Sequence, residues 1–116
     1  MKPEAALHRS VAQYLTLTLA RPWSTIPSGG GGRIRGAQLK AMGLQRGMPD
    51  IVIVGPGGRF LGIELKAPKG KVSEHQNQMF DRIISFGGDV QVCRSLEEVK
   101  SALTQWGIKE TLFRKR

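Results

Sequence analysis

Residues 47–66 read Gly47-Met48-Pro49-Asp50-Ile51-Val52-Ile53-Val54-Gly55-Pro56-Gly57-Gly58-Arg59-Phe60-Leu61-Gly62-Ile63-Glu64-Leu65-Lys66, and this stretch decides the fold. Two short runs rich in β-branched and large apolar residues, Ile51–Val54 and Phe60–Leu65, are joined by a glycine-rich turn, the pattern of a β-hairpin. Side chains alternate along a strand, so Glu64 and Lys66 leave one face while Ile63 and Leu65 leave the other. A hairpin brings its open ends together, and in a favourable register Asp50 lies beside Glu64. The outcome is an Asp/Glu/Lys cluster on a sheet whose flanking residues are apolar on both faces, as in a sheet covered on both sides.

Two carboxylates held close on a rigid sheet repel each other, and a hard divalent cation with oxygen ligands relieves them. Magnesium suits the site, because Asp50, Glu64 and the backbone carbonyl of Leu65 suffice for an ion that keeps waters and takes substrate phosphate. Such an ion stabilises charge on a phosphoryl oxygen and activates water, with Lys66 orienting that water. This is phosphodiester hydrolysis. Singly, Asp before a strand is a common turn residue and Glu-x-Lys a common solvated pair. Their combination on an apolar sheet is what points to a site.

Outside this stretch, the 116 residues suit one domain, expected over 1–107 with a basic tail over 108–116. Lys and Arg number 18 against 9 Asp and Glu, a net charge of +9, which calls for an acidic partner: nucleic acid or an anionic membrane surface. No apolar run approaches a bilayer span and no secretory leader is legible, so an intracellular protein is expected. Cys93 sits in an apolar run as a small hydrophobe, and with His8 and His75 it offers no structural zinc spacing. The glycine runs 29–32 and 55–58 lack the surroundings of a dinucleotide or Walker loop, so no nucleotide cofactor is expected.

Pro3 and Glu4 suit the first turn of a helix running to Ala20, with Leu7, Val11, Leu15 and Leu19 on its buried stripe. Trp23–Ile26 reads as a short strand. Gly29–Gly36 reads as a loop that either presents Arg33 and Arg35 to a nucleic-acid backbone or is simply solvated. Ala37–Met42 reads as a short helix carrying Lys40 toward Arg46, while Lys69 and Lys71 follow the hairpin within reach of neighbouring phosphates. Ser73 and Gln76 form a capping box, with Met79, Ile83, Ile84 and Phe86 on the buried side of the helix they open. Val90–Cys93 reads as a last strand, returning beside the hairpin in a mixed sheet. Ser95 and Glu98 cap a final helix that stops at Gly107.

Gly47-Met48-Pro49-Asp50, then Glu64-Leu65-Lys66 after a hairpin, then Ser73 and Gln76 on the next helix, resemble the VRR-NUC family of the PD-(D/E)XK nuclease superfamily. Gln38–Gly43 and Glu4 resemble that family's stand-alone, phage-type members. The likeness runs from Glu4 to Leu103. It implies an α/β fold with a mixed sheet of about four strands and helices on both faces. It also implies a metal-dependent, structure-specific endonuclease acting as a homodimer on branched DNA such as four-way (Holliday) junctions, with Mg²⁺ as cofactor and Mn²⁺ substituting. Asp50, Glu64, Lys66 and Gln76 would be catalytic. Glu4 is either an added metal ligand or an N-terminal helix charge, and Gln76 either a site residue or only a cap. His8, one turn beyond Glu4, could reach substrate or serve structurally. Two other functions stay open: a non-catalytic nucleic-acid-binding module, and a nickase or nuclease on linear duplex or flap DNA.

Overall fold

The computed structural model describes residues 3–27 and 32–111. In chain order it contains α1 (Pro3–Thr18), β1 (Trp23–Thr25), α2 (Gly32–Ala41), β2 (Ile51–Val54), β3 (Phe60–Leu65), α3 (Glu74–Ser85), β4 (Asp89–Cys93) and α4 (Leu96–Gln105). The four strands form one sheet in the order β1-β2-β3-β4. β2 and β3 pair antiparallel with Ile51 opposite Ile63 and Val54 opposite Phe60, the predicted hairpin. Its turn needs glycine at Gly57 and Gly58, where φ is +71° and +81°. β4 lies parallel to β3, with α3 as the crossover, so the sheet is mixed as expected.

One face of the sheet carries the main core. Ile51, Ile53, Leu61, Ile63, Leu65 and Cys93 pack there against Val11 and Leu15 from α1, Leu19 just after it, and Val99 and Leu103 from α4. The alternation of the strands sends Gly62, Glu64, Val90 and Val92 to the opposite face, which α3 covers. Packing continues past Gly107: Ile108 is buried in the core, and Thr111 N–H donates to the Thr18 carbonyl at 2.8 Å. The first residues of the segment read as a tail are thus folded against α1, while 112–116 lie outside the described residues.

Three expectations are corrected. α1 ends at Thr18 rather than Ala20, because Pro22 bars the helical conformation at Arg21. α2 starts at Gly32 rather than Ala37, so Arg33 and Arg35 are exposed helix residues and not loop residues. Gly36 in the middle of a helix costs about 1 kcal/mol, which is tolerated; residues 29–31 of the glycine run lie outside the described residues. On α3 the buried apolar residue is Phe80, with Met79 and Ile83 half-buried, whereas Ile84 is half-exposed and Phe86 is 89% exposed. The phase of α3 is set by Gln76, which faces the sheet, and residues four and seven further on share that face.

Candidate active site

The register of the hairpin makes the site. Continued one step beyond Ile51 and Ile63, it sets Asp50 opposite Glu64. The Leu65 N–H donates to Asp50 Oδ2 at 2.8 Å and fixes that carboxylate. Delivery of Asp50 rests on two glycines. Pro49 is buried against the sheet over Gly62, where a methyl group would lie 2.5 Å from Pro49 Cγ. Gly47 has φ +87°, and a methyl group there would lie 2.5 Å from the His75 carbonyl oxygen. The Gly-Met-Pro-Asp turn is thereby wedged between the sheet and the first turn of α3.

Glu64 is 2% exposed. Its Oε2 accepts from Gln76 Nε2 at 2.8 Å and pairs with Lys66 Nζ at 3.3 Å. Its Oε1 is buried and has no hydrogen-bond partner among the described residues. Burial first, and then the negative charge of Asp50, push the Glu64 carboxyl up to about 7 against the pull of Lys66. Burial also raises Asp50, offset in part by the Leu65 N–H.

The Gln76 amide bonds in two directions. Its Oε1 accepts from the Ser73 N–H at 2.9 Å and closes the capping box, and its Nε2 is left to serve Glu64. Glu4 on α1 is exposed, and its Oε1 accepts from the Ala67 N–H at 3.2 Å. Nearby, His8 Nε2 lies 3.0 Å from Thr25 Oγ1, and that hydroxyl donates to the Asp50 carbonyl at 3.1 Å. The hydroxyl proton is used on Asp50, so His8 Nε2 is the donor to Thr25. His8 thus braces the entry to β2. Cys93, buried and with its thiol pushed up to about 11, is inert packing.

Among the described residues, no three His, Cys, Asp or Glu side chains are grouped so as to hold a metal ion by themselves. The oxygen donors at hand are the carboxylates of Asp50 and Glu64, with the Leu65 carbonyl at the end of β3 and Glu4 on α1 as further groups.

A cleft of about 930 Å³ opens beside Asp50 and Gln76, between the end of α2, the 44–48 segment and α3. Lys40 and Arg46, read from the sequence as nucleic-acid contacts, line it, and so do His75 and Arg82, which the sequence reading did not single out for binding. Their signal was present, since His75, Met79 and Arg82 share one helix face at spacings of four and three. Arg33, Arg35, Lys69 and Lys71 are exposed but lie outside the cleft lining. Arg94 was also missed. Its Nη1 donates to the carbonyls of Ala67 at 2.8 Å, Pro68 at 3.3 Å and Gly70 at 2.7 Å, clasping the loop that follows Lys66.

A four-stranded mixed sheet, with two carboxylates and a lysine near the start of a crossover helix, defines an α/β domain with a charged site on a covered sheet face. The family model for the VRR-NUC domain matches residues 26–97, and the chain belongs to that family. Among solved structures, one described as a VRR_NUC domain protein has a TM-score of 0.71 at 20% identity, covering 96% of this chain and 98% of its own. Another, described as a VRR_NUC domain, has a TM-score of 0.61 at 18% identity, covering 91% and 99%. No curated protein matches the chain. A nuclease domain acts on nucleic acid, in keeping with the net charge of +9. Among the described residues, no helix is long and apolar enough to cross a membrane.

Proposed function

We propose that this domain is a Mg²⁺-dependent endodeoxyribonuclease that hydrolyses phosphodiester bonds in branched DNA, four-way (Holliday) junctions foremost, with Mn²⁺ able to substitute. The observation that carries the reading is the unpartnered, buried Oε1 of Glu64 on the strand facing Asp50. An ionised oxygen without a partner is costly in a buried site, and a hard cation removes that cost. Two carboxylates are a sufficient protein contribution for magnesium, so the residues fit the ion. Asp50, Glu64 and the Leu65 carbonyl would hold it, with Glu4 assisting. Once bound, it would supply positive charge for the phosphoryl oxygens and acidify water.

The chain's own residues do the rest. Leu65 N–H and Gln76 Nε2 fix the two carboxylates in place, and a cation would bind there in competition with the protons that burial favours, so that its hold strengthens as pH rises. Lys66, paired with Glu64, holds an ammonium beside the reacting phosphate, where it orients the attacking water. Lys40 and Arg46 in the cleft, and Arg33, Arg35, Lys69 and Lys71 around it, would hold neighbouring phosphates. One such site cuts one strand, so symmetric cutting of a junction calls for a homodimer. A DNA substrate of this kind puts the enzyme inside a cell, in the host cytoplasm if it is viral.

The test is cleavage of four-way, flap and linear DNA in Mg²⁺, with and without chelator, by wild type and Glu64→Ala. Junction cutting that is lost with the carboxylate or the metal is the expected result. Equal activity of wild type and Glu64→Ala removes the proposal. Cutting confined to linear or flap DNA would favour a nickase or general nuclease. Tight DNA binding with no calorimetric Mg²⁺ or Mn²⁺ binding would favour a non-catalytic module.

A further inference from the structure

We infer that the cleft beside Asp50 seats nucleotides that are unpaired, or that open at a branch point, next to the bond that is cut, so that within branched DNA the site selects for unpaired nucleotides at the cut. The inference rests on the nuclease reading above and adds what the site selects.

Size is the first argument. Pockets of about 300–1,000 Å³ enclose ligands of small-molecule size, and the cleft, at about 930 Å³, falls in that range. It has room for roughly one or two nucleotides.

The chemistry of the walls is the second argument. Leu44, Met48 and Met79 are half-buried on the lining and give it apolar, polarisable surface. In duplex DNA the base faces are stacked on each other, and only groove edges and phosphates meet a protein. Apolar walls therefore gain nothing from a paired strand, whereas an unstacked base lies its face against them with favourable sulfur–aromatic contact. His75 and Gln78 stand beside Met79 with polar groups that can meet a base edge.

Charge is the third. Lys40, Arg46 and Arg82 are exposed around the cleft, and Asp50 is the one acidic residue in its described lining. Basic groups at the rim and apolar groups on the wall match a strand whose backbone runs along the edge while its bases turn inward. Asp50 at one end places that strand at the proposed reacting phosphate.

The test is binding in chelator, where nothing is cut, read by fluorescence anisotropy with duplexes of one length that are either fully paired or carry a two-nucleotide gap. Wild type should bind the gapped duplex at least about fivefold tighter. Met79→Ser should erase that preference. Arg82→Gln, at an exposed position where folding is not at stake, should weaken gapped binding severalfold and lower its salt slope by about one. A 2-aminopurine in the unpaired segment should brighten as it leaves the stack. Equal wild-type affinity for both duplexes, an unchanged preference in Met79→Ser, an unchanged gapped affinity in Arg82→Gln, or a silent 2-aminopurine overturns the inference. Because none of these readouts needs cleavage, their failure leaves the nuclease reading standing, and absence of cleavage would leave the binding result standing.

Discussion

Gln76 Nε2 donates to Glu64 Oε2 across 2.8 Å while the same amide's oxygen accepts from the Ser73 N–H at 2.9 Å. The helix cap thus decides which way the amide faces, and a device that starts α3 also aims a donor at the central carboxylate. Gln76→Glu keeps an oxygen for the cap but sets a second negative charge against Glu64. It should retain the helix and cut DNA about 10–100-fold more slowly. Gln76→Ala should lose similar activity and, in addition, about 1 kcal/mol of stability from the broken box. Cleavage rates and thermal melts of the two variants check this; full activity in Gln76→Ala would leave the residue only a cap.

Stability of the metal-free protein should depend on pH through Glu64. Its carboxyl titrates near 7 in the fold against 4.5 as a free group. Between those values the folded chain keeps a proton that the unfolded chain releases, so this group's contribution falls as pH rises from 4.5 to 7 and stays low above. Asp50, also raised, acts in the same direction. Glu64→Gln should raise stability at pH 8 by about 2 kcal/mol and change it little at pH 4. Denaturant melts at the two pH values decide it, and addition of Mg²⁺ should stabilise wild type at pH 8 but not the variant.

Gly47 is constrained twice, by φ +87° and by the His75 carbonyl 2.5 Å from any added methyl. Gly47→Ala should cost at least about 2 kcal/mol and depress cleavage, since the turn delivering Asp50 and the start of α3 must part. Gly57→Ala is the control. It has a positive φ of +71° but open space around it, so it should cost about 1 kcal/mol and leave the cutting rate unchanged.

Arg94 holds three carbonyls of the 67–70 loop through one guanidinium nitrogen. Arg94→Lys keeps the charge but not the planar fork, so the loop should loosen. Amide exchange at Ala67 and Gly70 should quicken about tenfold, and DNA affinity should fall severalfold as Lys69 lost its fixed base. Unchanged exchange would show that the clasp carries no strain-bearing role in the loop.

The hairpin, the pairing of Asp50 with Glu64 and the Glu64–Lys66 pair were legible because they follow from strand periodicity and a short turn, both local. The phase of α3 was not. Ile83, Ile84 and Phe86 offer similar apolar choices, and only the contact of Gln76 with a residue twelve positions earlier selects Phe80 over Phe86. Arg33 and Arg35 were assigned to a loop because glycines flank them, although α2 buries no side chain and its sequence is bound by no apolar pattern. Arg94 and His8 act through partners 17 to 27 residues away, which no spacing rule brings together.

β3 is flanked by β2 on one side and β4 on the other, and Glu4 reaches a partner 63 residues further along. A ribosome emitting this chain would finish the strand bearing Glu64 long before the parallel neighbour that shields it. A chain not yet extended through β4 keeps that strand at an open edge, without the neighbour that sets Val92 beside Glu64. Such a chain would be unarmed until β4 joins the sheet.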